Sequence, residues 1–392
     1  MIIVDQALAA RAAEGNPVRV GMIGAGAMGR GIARQMLQHF PGLRLVAIAN
    51  RTPANAARAY ADAGAEAVSV ESVDALEDAR RQGRYAITDD ATLLCDAPSI
   101  EILIEVTGTV EYAAGMVLRA FEHGKDVVLM NAELDGTIGP ILAERARAAG
   151  VRLSACDGDQ PGVEMNLYRF VKSIGLQPVV CGNIKGLQDR FRNPTTQKGY
   201  AEQWGLGVEM VTSFADGTKV SFEQAIVANA TGMRAPQRGL YGWEHREHVD
   251  ALTTRYDPDA LLRMGGIVDY VIGAQPAPGI YVIGHADGEY ERHMMALYKR
   301  GDGPLYCFYT PQHLCHFEVP ISVGRVALCD DIVLSPLDGP MVDVVAVAKR
   351  DLRAGERVDY IGGYMTYGTC ENSDVTARDR LLPMGLADGC LL

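Results

Sequence analysis

The chain has 392 residues, 48% hydrophobic and 22% charged, which is long enough for two or three domains with cores of their own. Its 37 Lys and Arg against 49 Asp and Glu give a formal charge of −12, which argues against nucleic-acid binding and against anionic membrane surfaces. Any anion it binds must therefore meet a local positive site.

The eight cysteines (95, 156, 181, 307, 315, 329, 370 and 390) form no CxxC pair, a pattern that suits reduced thiols better than a disulfide framework. The opening MIIVDQALAARAAEGNPVRV lacks the cationic head and long apolar run of a secretory leader, and no apolar run reaches the roughly 18 residues that span a bilayer. The expectation is a cytoplasmic protein.

From residue 18 to 174 the pattern alternates. Strand-like runs VRVGMIG (18–24), LRLVAIA (43–49), IEILIEV (100–106), KDVVLM (125–130) and VRLSAC (151–156) are separated by helix-like stretches such as GRGIARQMLQHF and GPILAERARAAG. Short apolar strands alternating with amphipathic helices predict βαβ units around a parallel sheet.

The first strand runs into GAGAMG, residues 24–29. A GxGxxG that follows a strand and opens a helix is a dinucleotide turn. Gly24 serves the tight bend, Gly26 lets the backbone approach a pyrophosphate, Gly29 permits close packing, and the helix start at Ala27 and Met28 offers N–H groups to phosphate. Where an NAD site carries an acid for the ribose 2′-OH, this chain has Asn50, Arg51 and Thr52. An arginine without a competing carboxylate favours NADP(H). Thr107 and Gly108, in VTGT (106–109), end the strand nearest the expected nicotinamide half.

Three later segments follow strand-like runs: MNAELDG (130–136) with Asn131, Glu133 and Asp135; CDGDQPG (156–162) with Asp157, Asp159 and Gln160; and IKGLQDRFRNPTTQKGY (184–200) with Lys185, Asp189, Arg190, Arg192, Asn193 and Lys198. Lys185, Asp189 and Glu133 are the candidate catalytic residues. Asn131, Asp157, Gln160, Arg190, Asn193 and Lys198 are the candidate substrate contacts. A lysine at a strand end beside a coenzyme can exchange a proton at a carbonyl or hydroxyl oxygen. The acids at 157 and 159 suit either a hard divalent cation or a helix cap. NPTT reads as a break in a loop folded over an anion, and residues 208–228 around ADGT read as strand–turn–strand. HLCHFE (313–318) has no second ligand pair at zinc-like spacing, and a structural role is expected for it.

The motifs GMIGAGAMG, NAELDGTIGP, DGDQPG, GNIKGLQDRFRNPTT, SFADGTKVSFEQAIVANATG (213–232), YTPQHLCHFE and VAKRDLRAGERVDYIGG (347–363) run through nearly the whole chain. With them it resembles the homoserine-dehydrogenase-like oxidoreductases that carry a C-terminal SAF (β-clip) domain, and among those the 1-deoxy-D-xylulose-5-phosphate-reductoisomerase-like enzymes. Glu133 stands where homoserine dehydrogenases have a lysine, and IKGLQDR replaces their GTxN.

The resemblance implies an NADP-binding Rossmann-type doubly wound parallel sheet at 1–175, an α+β catalytic and dimerisation domain at 176–324, and a small SAF-like β domain at 325–392. It further implies NADPH, a divalent Mg or Mn with ligands unknown, a homodimer or higher homo-oligomer, and a pocket for a small anionic substrate around Lys185, Asp189, Arg190, Asn193 and Lys198. A homoserine-dehydrogenase-like reaction without isomerisation and a non-catalytic NADP-binding scaffold stay open as alternatives.

Overall fold

A computed structural model describes residues 4–392; residues 1–3, the first of the stretch read for a leader, lie outside it. The chain divides into two compact units, each discontinuous in sequence. One takes residues up to Asp159 together with Leu314–Ser335, and the other takes Gln160–His313 with Pro336–Leu392. This differs from the expected segments 1–175, 176–324 and 325–392: the last residues group with the second unit and do not stand alone.

The first unit begins with α1 (Val4–Ala13) and then alternates β1 (Val18–Ile23), α2 (Ala27–His39), β2 (Leu43–Ala49), α3 (Pro53–Asp62), β3 (Ala67–Ser69), α4 (Val73–Arg81), β4 (Tyr85–Thr88), α5 (Thr92–Asp96), β5 (Ile102–Glu105), α6 (Glu111–Glu122), β6 (Asp126–Leu129), α7 (Ala132–Ala149) and β7 (Leu153–Ala155). All seven strands are parallel, in the order β3-β4-β2-β1-β5-β6-β7. Their central members are buried on both faces along most of their length, which is why they read as apolar runs broken only by Arg19 in β1 and by Glu105 closing β5. Two cores fill the two faces of the sheet. The order reverses between β1 and β5, so the carboxyl ends of these two strands flank the crevice where open α/β sheets bind ligands. The doubly wound parallel sheet is as expected.

The second unit carries a mixed five-stranded sheet ordered β12-β11-β8-β10-β9. Its strands are β8 (Gln177–Lys185), β9 (Trp243–Glu244), β10 (Ile267–Ile272), β11 (Gly279–His285) and β12 (Leu305–Thr310). Its helices include α8 (Gln160–Ser173), α9 (Pro194–Trp204), α10 (Val208–Asp216), α11 (Thr218–Thr231), α12 (Pro258–Met264) and α13 (Glu289–Leu297). The strand–turn–strand expected at 208–228 is instead the helix pair α10 and α11, divided at Gly217 with φ +95°. Nearly every residue of α11 is buried, so it has no polar face to reveal a helical period.

The C-terminal residues supply an antiparallel pair, β13 (Val342–Ala348) and β14 (Thr366–Asn372), which packs on α11. Asn229 of α11 fastens it, donating to the Val342 carbonyl and accepting from the N–H groups of Met341 and Val342. No described helix is long and apolar enough to cross a membrane.

Candidate functional site

In the first unit the bend between β1 and α2 is built from glycines for a steric reason. Gly24 has φ +112°, and a Cβ on it would sit 2.8 Å from the Val106 carbonyl oxygen. A Cβ on Gly29 would sit 2.7 Å from the Gly24 oxygen, so the helix packs directly on the turn. At Gly26 a Cβ would meet nothing within 4 Å. Gly26 caps α2 without a side-chain hydrogen bond, and the first turn, which starts at Ala27 and Met28, holds no acid. Its N–H groups and the open face at Gly26 therefore fit a pyrophosphate.

Asn50, at the end of β2, accepts from Ala25 N–H at 3.0 Å and donates to the Thr52 carbonyl at 2.8 Å, which ties the glycine turn to the next loop. Arg51 beside it is exposed. Thr52 caps α3 without a side-chain bond, and the first turn of α3 is also free of acid. Arg51 beside an acid-free first turn of α3 fits a 2′-phosphate.

At the end of β5, Thr107 Oγ1 lies 2.9 Å from Thr109 Oγ1, and Gly108 has φ +71° with open space around its Cβ position. Glu105 immediately before them is 1% exposed. Its Oε1 accepts from Thr107 N–H at 2.8 Å and its Oε2 from Asn131 Nδ2 at 2.7 Å. Asn131 also donates to the Thr109 carbonyl and caps α7 by accepting from Leu134 N–H. Burial pushes the Glu105 carboxyl up to about 7 against these hydrogen bonds. Sequence reading passed over Glu105; the signal available was a carboxylate closing an otherwise apolar strand.

Glu133 lies half-buried in the first turn of α7. Asp135, two residues on in the same first turn, is buried with one oxygen unpaired, and burial pushes its carboxyl up to about 7.

Asp157 is buried in a structural cluster of the first unit. Its Oδ1 accepts from Arg325 at 2.6 Å, its Oδ2 accepts from Ser322 Oγ at 3.0 Å, and its N–H donates to the same hydroxyl. Among the described residues no group of three or more His, Cys, Asp or Glu side chains could hold a metal ion. In HLCHFE, Cys315 N–H donates to the Gly158 carbonyl, and the His316 ring covers Gly31 so closely that a Cβ there would overlap it.

In the second unit Gln160 opens α8 and is buried. Lys185 is the last residue of β8; its carbonyl accepts from Gly273 N–H at 2.8 Å. Its side chain is half-buried, and its Nζ makes no hydrogen bond or ion pair among the described residues. Asp189 folds the following loop, accepting from Phe191 N–H and pairing with Arg192 Nε at 3.0 Å. Arg190 is exposed and lies over the Phe191 ring at 4.8 Å, while Lys198 is exposed on α9.

NPTT, expected as a break in a loop, is a helix start. Asn193 and Thr196 form a reciprocal capping box, and Pro194 occupies the first helical turn of α9. Asn193 is thereby engaged with the backbone of its own helix.

Two positions absent from the sequence reading hold this loop. Lys349 is buried and donates from Nζ to Asp216 Oδ2 at 2.8 Å, to the Arg192 carbonyl at 2.7 Å and to the Gly363 carbonyl at 2.8 Å. Asp216 in turn accepts from Thr218 N–H at the start of α11.

Comparison with known proteins agrees with this division of labour. The family model "Homoserine dehydrogenase, NAD binding domain" matches residues 24–155, and "Oxidoreductase DRL, catalytic domain" matches residues 158–319. A homoserine dehydrogenase of Corynebacterium glutamicum is 30% identical over 142 residues, 36% of this chain and 30% of that protein. One of Synechocystis sp. is 26% identical over 222 residues, 54% of this chain and 48% of that protein. The chain thus spans less than half the length of these curated relatives.

A solved homoserine dehydrogenase of Thiobacillus denitrificans is 15% identical, with 84% of this chain and 81% of that one covered at a TM-score of 0.45. The fold assignment rests on the strand order described above and not on that likeness. In domain content the chain thus pairs a match to a homoserine-dehydrogenase NAD-binding domain with a following match to a DRL-type oxidoreductase catalytic domain.

Proposed function

We propose that the chain uses NADP(H) to reduce or oxidise a small anionic carbonyl or hydroxyl compound, with a sugar phosphate of the 1-deoxy-D-xylulose 5-phosphate type as the leading substrate. The observation that carries the coenzyme half is the first turn of α3, which holds no acid and begins beside Arg51. Support for the substrate half comes from the DRL catalytic match over 158–319 and from the cations Lys185, Arg190 and Lys198 in one segment of an acidic chain.

When bound, the nicotinamide supplies or accepts the hydride. Lys185 moves the proton at the reacting oxygen, and Arg190 and Lys198 attract the anionic group through charge-assisted hydrogen bonds.

Purified protein tested for NADPH oxidation with 1-deoxy-D-xylulose 5-phosphate, with and without Mg²⁺ or Mn²⁺, is expected to turn over. NADP⁺ reduction by homoserine with no sugar-phosphate activity would replace this reading with the second one, a hydroxy- or amino-acid dehydrogenase, which the two curated relatives favour. NADPH binding without turnover on any carbonyl or hydroxyl substrate would leave the scaffold reading.

The coenzyme assignment carries its own prediction. Arg51→Glu is expected to weaken NADPH binding about ten- to hundredfold, the worth of one charge-assisted hydrogen bond. NADH binding should hold or improve. Dissociation constants for both coenzymes, read by nicotinamide fluorescence, check it; equal losses for the two would remove Arg51 from the 2′-phosphate.

A further inference from the structure

We infer that Glu105 is a positioning residue of the nucleotide site: its carboxylate fixes the 106–109 turn against the first glycine of the phosphate-binding turn and so sets the seat of the nicotinamide half of the coenzyme. The inference rests on the NADP(H) reading of the first unit.

Glu105 closes a strand whose four residues are all buried, and at 1% exposure it has lost its hydration. An ionised carboxylate there is costly unless donors surround it. No cation is among the groups that act on it; its compensation is the hydroxyl and the N–H of Thr107 and the amide of Asn131. The residues it holds lie on two different segments, the turn after β5 and the cap of α7. Asn131 closes the circuit by donating its second hydrogen to the Thr109 carbonyl.

The turn so held is in backbone contact with the phosphate loop. A Cβ at Gly24 would lie 2.8 Å from the Val106 oxygen and 3.1 Å from the Thr107 nitrogen, the nitrogen whose hydrogen Glu105 accepts. The 106–109 turn lies at the carboxyl end of β5, beside the reversal of strand order, and Gly108 within it faces open space. Moving Thr107 therefore moves the wall on which a nicotinamide ring would rest, while the adenosine corner at Asn50 and Arg51 belongs to another strand end.

The carboxylate form is the one required, because both neighbours are donors and a proton on either oxygen would oppose one of them. Burial pushes this carboxyl up to about 7. The titratable groups coupled to it are Glu133 on α7 and Tyr112 on α6. Nicotinamide-dependent affinity should accordingly hold above that value and fall as pH drops through it.

The test compares NADPH, followed by its fluorescence, with 2′-phospho-ADP-ribose, which lacks the nicotinamide, followed by calorimetry. Glu105→Gln presents an NH₂ to one of the two donors; it is expected to weaken NADPH about tenfold and the analogue less than about twofold. Equal effects on both ligands, or none, would overturn the inference. Should the variant fail to fold, the wild-type protein decides. Its ratio of NADPH to analogue affinity is expected to fall between about pH 8.5 and about pH 6, the 2′-phosphate titration common to both ligands cancelling. A flat ratio overturns the positioning role while leaving the coenzyme reading intact, whereas a protein that binds neither ligand overturns both.

Discussion

Lys349→Met is expected to lower the unfolding free energy of the second unit by about 3–5 kcal/mol, the cost of stripping the partner from a buried charge. Lys349 and Asp216 have side chains 4% and 0% exposed, and the ammonium makes three hydrogen bonds, two to carbonyls and one to the carboxylate. Methionine fills most of the volume but satisfies none of those acceptors.

The pH dependence has a definite sign. Burial, the larger influence, raises the Asp216 carboxyl above its ordinary value, and Lys349 pulls it back down. A carboxyl raised on folding contributes stability below its unfolded pKa and loses it as pH rises through the folded value. Removing Lys349 moves that folded value further up. The deficit of the variant should therefore be smallest in acid and grow with rising pH, which urea unfolding at about pH 5 and about pH 8 would show.

Adding Asp216→Asn, which keeps an oxygen for Thr218 N–H, should recover much of the loss, because the stranded charge goes with it. A deficit independent of pH, with no recovery in the double variant, would mean that packing and not charge is what Lys349 supplies. The same substitution frees the Arg192 carbonyl, so KM for an anionic substrate should rise in molecules that remain folded.

The parts of this chain legible in its sequence are those whose physics is local. Strands β1 and β2 stood out because burial on both faces leaves apolar runs broken only by Arg19 and Arg44 near their starts, and the glycine turn because its spacing serves contacts made within a few residues. Strands β3 and β4 escaped notice because Glu66 and Ser69, and Arg84 and Asp89, interrupt or close them off, whereas the similarly short β5 and β6 lie within longer apolar runs. The α10 and α11 pair was misread for the opposite reason: burial on every side erased the period that distinguishes helix from strand.

In NPTT the breaker reputation of proline outweighed the capping-box spacing of Asn193 and Thr196, although Pro194 at a first turn favours a helix. The contacts that organise the candidate site are mostly distant. Lys349 and Asp216 are 133 positions apart, Glu105 and Asn131 are 26 apart, and Asp157 meets Arg325 across 168. No local pattern records such pairings, so Asp157 looked available for a substrate when its charge is already engaged.

Lys185→Ala is expected to reduce kcat by about a hundredfold to ten-thousandfold, the range a positioned proton-transfer group contributes, while leaving the NADPH dissociation constant unchanged. The backbone of Lys185 is fixed along its β10 side: β8 pairs with β10 up to the Lys185–Ile272 step, and its carbonyl holds the N–H of the next residue, Gly273. The side chain is thus delivered from a rigid strand end and not from the following loop, whose own cation Arg192 is already paired with Asp189. Alanine should leave that frame, and hence stability, nearly untouched.

Lys185→Arg separates charge from proton transfer. Guanidinium keeps the positive charge but cannot give up its proton near neutrality, so it should preserve KM for an anionic substrate while failing to restore kcat. If Lys185 instead only attracts the anion, arginine would restore both constants and alanine would raise KM with kcat little changed. An alanine variant with full turnover would exclude both roles and move the search for the proton donor to the acids at the start of α7, where burial holds Asp135 up to about 7, within reach of neutral pH.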